Sequence, residues 1–84
     1  MEEIVKRLIE INKTVSTMES CTGGYVASEI TNIKDASMVF KYGSVTYSNE
    51  FKIKMGVSKD LINKYSVYSE NIAKEMSKKI VDFT

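Results

Sequence analysis

A chain of 84 residues with a formal net charge of +1, 43% hydrophobic and 27% charged residues, has room for one domain and the composition of an ordinary globular protein. That charge balance calls for neither nucleic acid nor an anionic membrane surface, and no apolar run approaches the roughly 20 residues a bilayer span needs. Histidine is absent and Cys21 is the one cysteine, so an internal disulfide, a Cys/His zinc site and a Ser-His-Asp or Cys-His machine within one chain are excluded.

The N-terminus, Met1-Glu2-Glu3-Ile4, is acidic at once and does not suit a signal peptide, so a cytoplasmic location is expected. From Glu2 to Asn12, Ile4, Val5, Leu8, Ile9 and Ile11 recur at helical spacing with Lys6, Arg7 and Glu10 outside, which predicts an amphipathic helix. Lys13 to Met18 is short and rich in β-branched residues and predicts a strand. Tyr25 to about Thr31 again has helical apolar spacing, and this second helix is expected to start after Thr22, its candidate N-cap. Asn32 to Ser37 reads as a loop, the stretch from Met38 as either a short helix end or a strand, and Ser44 to Tyr47 as a second strand ending at Tyr47. Strand, helix and strand then make a βαβ unit with parallel strands and a right-handed crossover. Ser48, Ser58 and Ser69 are candidate caps of three further helices, with Glu50 and Glu70 in first turns and Gly56 at a C-terminal end. In the last helix Ile72, Ala73, Met76, Ile80 and Phe83 mark the buried stripe. Two strands alone leave both sheet edges open, so association with another copy is expected.

The stretch that organises the rest is Glu19-Ser20-Cys21-Thr22-Gly23-Gly24, a tight glycine turn between strand and helix. Such a turn aims free backbone N–H groups and the positive end of a helix dipole at one spot, with Ser20 at its mouth. Ser20 is then either a plain helix cap or a nucleophile whose oxyanion the turn would hold. In a parallel βαβ unit both strands end on the same edge, which should bring Ser20 and Tyr47 together, with Lys52 one turn into the next helix. A serine, a phenol and an amine can do nucleophilic chemistry without histidine. The plainer alternative makes Tyr47 partly buried core and Lys52 a solvated charge. Cys21 is either a second nucleophile or, better, a small buried hydrophobe. Tyr25, Tyr42, Tyr65 and Tyr68 are too scattered for base stacking and read as core or rim.

The turn Glu19–Gly24, then Gly43-Ser44-Val45-Thr46-Tyr47-Ser48-Asn49-Glu50 with Lys52, Gly56-Val57 and Val67-Tyr68-Ser69-Glu70, resembles the CinA C-terminal domain family, the nicotinamide mononucleotide deamidases or competence/damage-inducible proteins. The resemblance implies a three-layer α/β/α fold, here incomplete over residues 1–84, and hydrolysis of nicotinamide mononucleotide to nicotinate mononucleotide and ammonia. It makes Ser20 the nucleophile, Tyr47 and Lys52 its activating partners, and Cys21, Thr22, Gly23 and Gly24 the substrate-binding and oxyanion turn, with no metal or cofactor. Family members run to about twice this length and add a Ser-Gly-x-Ala-Gly-Pro-like loop, so the chain reads as the N-terminal half of such a domain. Tyr65-Ser66-Val67 also lacks the glycine usual before that valine. The alternative function is a catalytically silent nucleotide-binding or interaction module left by loss of the second half.

Overall fold

The computed structural model describes all residues from Met1 to Thr84. In chain order they form α1 (Glu2–Glu10), β1 (Val15–Glu19), α2 (Tyr25–Thr31), a single 3₁₀ turn (Ala36–Met38), β2 (Phe40–Val45), α3 (Asn49–Lys54), α4 (Lys59–Tyr65) and α5 (Glu70–Phe83). β1 and β2 pair in parallel, with Thr17 opposite Gly43 and Glu19 opposite Val45. The βαβ unit read from the sequence is therefore present.

Side chains alternate across the strands, and this alternation sorts the helices into layers. Val15 packs with the cluster of Val5, Ile30, Ala36 and Val39, which belongs to α1, α2 and the 3₁₀ turn. Met18 packs with Val57, Ile62, Ile72 and Met76, the cluster of α4 and α5. Odd positions of β1 thus face α1 and α2, and even positions face α4 and α5. The result is helix, sheet, helix. A bulge in β2 shifts the register between Val15 and Ser16. The extra residue flips the parity of β2 beyond it. Phe40 therefore joins the α1/α2 side, while Tyr42 meets Phe83 of α5 at a ring separation of 5.1 Å.

Gly43 stands opposite Thr17 under α2. A Cβ there would lie 2.7 Å from Thr17 Oγ1 and 2.8 Å from the Phe40 ring, so the strand can pass only as glycine. β2 thus begins at Phe40, ahead of its β-branched stretch, and is finished by Val45. Tyr47 lies beyond the strand, not at its end. The serine caps are as expected: Ser48, Ser58 and Ser69 accept from the amides of Phe51, Leu61 and Ile72. Gly56, at φ +104°, closes α3 in the left-handed conformation. The stripe of α5 buries Ile72, Met76 and Ile80, whereas Ala73 and Phe83 are exposed.

Candidate active site

Three polar or charged residues are buried in the whole chain: Glu19, Thr46 and Lys52. All three lie where β1 and β2 end. Buried polar groups are costly unless bonded, so their gathering at one corner asks where their bonds go.

Lys52, 3% exposed, donates from Nζ to Ser20 Oγ at 2.9 Å and to the Thr46 carbonyl at 2.7 Å. Ser48 starts α3 so that Lys52 falls one turn in, pointing back over the sheet edge. Burial pushes the Lys52 ammonium below the ordinary 10.5, with Cys21 acting in the opposite sense. No acidic side chain pairs with it. A lysine held dry and without a counter-ion gives up its proton more readily than a solvated one.

Ser20 and Lys52 are thus in contact. Tyr47 is not part of that contact. It shares their cleft, of about 500 Å³, with Cys21, Asn49 and Tyr68, but its side chain is 76% exposed and bonds to neither partner. The plainer reading of this pair, a buried Tyr47 and a solvated Lys52, is reversed. Cys21 is exposed at the cleft, which corrects its reading as a small buried hydrophobe.

The turn itself differs from expectation in a way that matters for the chemistry. Thr22 does not cap α2, whose N-cap is Gly24 at φ +100° with no side-chain cap. Thr22 Oγ1 donates instead to Glu19 Oε1 at 2.7 Å. The first amides of α2 are taken by the same carboxylate: Val26 N–H donates to Oε1 at 2.8 Å and Ala27 N–H to Oε2 at 3.0 Å. Burial alone would push the Glu19 carboxyl up, but the bonds from Thr22, Ala27, Val26 and Gly24 outweigh it and hold it below the ordinary 4.5. The helix dipole is therefore answered from within the chain and is not free for a ligand anion. Gly23 N–H is spent on the Ser20 carbonyl at 3.0 Å, and the Gly24 backbone faces Glu19. Of the four turn residues expected to supply oxyanion donors, the amides of Cys21 and Thr22 are the ones with no partner.

Glu19 is the residue the sequence reading passed over. Its signal was a lone charge closing an otherwise uncharged strand, three residues before a hydroxyl. No three His, Cys, Asp or Glu side chains converge anywhere to hold a metal, and no helix is long and apolar enough to cross a membrane.

The buried lysine rests on the serine that opens the Gly-Gly turn, and the α/β/α fold around that contact has close counterparts. The family model of the CinA C-terminal domain matches residues 1–84, and the chain belongs to that family. It is 52% identical over 79 residues to a competence-damage inducible protein of Clostridium beijerinckii, covering 92% of this chain and 19% of that protein. The CinA superfamily protein of Escherichia coli superposes with a TM-score of 0.96 at 32% identity, over 99% of this chain and 49% of that one. The competence/damage inducible protein CihA of Agrobacterium tumefaciens gives a TM-score of 0.88 at 34% identity, over 98% and 53%. The chain spans about a fifth of the curated relative's length and about half of each solved structure.

Proposed function

We propose that this corner is the serine end of an amidohydrolase of the nicotinamide mononucleotide deamidase type. The observation that carries the reading is the 2.9 Å contact between Lys52 Nζ and Ser20 Oγ, made by a buried lysine without a counter-ion. With its amine neutral, Lys52 takes the Ser20 proton as the serine oxygen bonds to the carboxamide carbon. The amides of Cys21 and Thr22 hold the resulting oxyanion, and such a donor is worth on the order of 10²–10³ in rate. The carbon–nitrogen bond then breaks and ammonia leaves with a proton from the Lys52 ammonium, while Tyr47, at the rim of the same cleft, stands where it can contact the substrate. Water, deprotonated by Lys52, hydrolyses the acyl-serine to the carboxylate. No metal or cofactor takes part in this scheme.

The alternative, a silent nucleotide-binding or interaction module, is motivated by the missing second half of the domain, with a phosphate-attracting turn that survives it. Occupation of the α2 amides by Glu19 weakens the nucleotide-binding form of that alternative. Self-association across the open sheet edges, in the cytoplasm, remains part of the proposal.

Ammonia release from nicotinamide mononucleotide tests it. Ser20→Ala and Lys52→Ala are each expected to lower kcat by about 10³-fold or more, and undiminished turnover in either removes the mechanism. In the active protein kcat/KM should rise with pH through a single amine ionisation below 10.5, because the base is the deprotonated form of a lysine that burial has shifted down.

A further inference from the structure

Two strings of bonds lead away from the Ser20–Lys52 contact, and both arrive at Glu19. One runs through the main chain. The Glu19 carbonyl accepts from Thr46 N–H at 2.7 Å, and the Thr46 carbonyl accepts from Lys52 Nζ at 2.7 Å. The other runs through the side chain. Its carboxylate gathers Thr22 Oγ1, Val26 N–H and Ala27 N–H, which fixes the turn that begins at Ser20. A buried carboxylate needs several donors, and these could have come from any neighbouring element. This one ties a hydroxyl and two helix amides to the residue next to the nucleophile.

We infer that Glu19 is a positioning residue: it sets the turn so that Ser20 Oγ meets Lys52 Nζ and keeps water away from that amine. The inference rests on the amidase reading for its catalytic meaning but not for its geometry. Glutamine in its place keeps the size and loses one acceptor. Its NH₂ group would face the Ala27 N–H, donor against donor, and the turn would have to shift.

The test is the titration of the Lys52 amine by NMR in the full 84-residue chain, well below each variant's melting temperature. In Glu19→Gln the midpoint should move up toward 10.5, by about half a unit or more, as water reaches the amine. Loss of a nearby negative charge would alone move it down, so an upward shift reports hydration specifically. Thr22→Val should shift it in the same direction by less, and Thr22→Ser, which keeps the hydroxyl, should restore the parent value. A helix cap with no further role would lower the melting temperature and leave the Lys52 midpoint alone. A folded Glu19→Gln with an unmoved midpoint overturns the inference. If Glu19→Gln does not fold, the Thr22 pair decides on the same criterion. In the active protein kcat should fall at least tenfold with KM within twofold. Absence of ammonia release by the parent protein would sink the amidase reading and leave the titration result standing. Normal release with an unmoved midpoint would do the reverse.

Discussion

Two corners of this small protein are equally dry and are held by opposite means. In the cluster of Val5, Ile30, Ala36 and Val39, four apolar side chains from three elements close on one another, and stability there comes from area removed from water. At the ends of β1 and β2, Glu19, Thr46 and Lys52 are as buried; directed bonds hold the Glu19 carboxylate, the Lys52 ammonium and the Thr46 backbone, while the Thr46 hydroxyl has no partner. The apolar cluster does not depend on any one atom's direction. In the polar corner a shift of an ångström breaks a bond and exposes a charge. Dryness in the first is an end in itself, and in the second it is what lowers the lysine pKa and makes the serine contact useful.

The sharpest way to break the comparison is to truncate one residue of equal burial on each side of it. Ile30 of the apolar cluster is 4% exposed, about as buried as Lys52, and Ile30→Ala should cost about 2–5 kcal/mol, a large share of what an 84-residue domain has. Lys52→Met should behave differently. Removing the ammonium relieves its desolvation, while the Thr46 carbonyl is left without its donor at a cost of about 1–3 kcal/mol. The two offset, so urea unfolding should show a change of about 1 kcal/mol or less, with activity gone. A large loss of stability in Lys52→Met would mean that the corner serves the fold as much as the chemistry.

Acid probes the same corner less severely. Glu19 has its folded pKa below the ordinary 4.5, so its contribution is fully present above the unfolded value and is lost as pH falls through the folded one. Lys52 has its folded pKa below 10.5, so its burial cost is relieved as pH rises through that value. Urea midpoints across pH should therefore fall on acidification below about 4.5 and rise on the alkaline side. Glu19→Gln should flatten the acid limb, and an unchanged limb would show that other carboxylates dominate it.

Much of this arrangement was legible in the sequence, for identifiable reasons. Helix spacing, β-branched runs and serine caps are local signals, and they placed all five helices and the first strand; of the second they caught only Ser44 and Val45. Topology, with parallel strands ending together, pointed to Ser20 and Tyr47 as neighbours; the bond is made instead by Lys52, one turn into α3, reaching back to Ser20. What could not be read was direction. Whether Thr22 turns toward α2 or back toward Glu19 depends on Gly23 and Gly24 taking φ +60° and +100°, which delays the helix to Tyr25. Whether Tyr47 lies in or out depends on where β2 ends and on which face each of its residues takes, and the bulge that flips that parity has no sequence period.

The smallest effect tests a strained link beside the polar corner. Ser66 joins α4 to the segment carrying Val67 and Tyr68, which line the cleft of Ser20 and Lys52. Its backbone sits at φ +73°, ψ 153°, a region that nearly only glycine adopts and that costs other residues of order 1–3 kcal/mol. Family resemblance had marked this position as one where glycine is usual. The hydroxyl of Ser66 partly compensates by accepting from Tyr68 N–H at 3.3 Å, an exposed and long bond. In Ser66→Gly the strain disappears. At about 2 kcal/mol, the middle of that range, the gain exceeds the loss of a bond worth about 0.5 kcal/mol and the roughly 0.5–1 kcal/mol of extra freedom a glycine has when unfolded. A net gain of about 1 kcal/mol is expected, or a rise in Tm of about 4–8 °C for a domain of this size. Ser66→Ala keeps the strain and loses the bond, so it should melt lower than the parent. Thermal unfolding of the two variants therefore gives opposite signs if strain decides, and the same sign if the hydroxyl does.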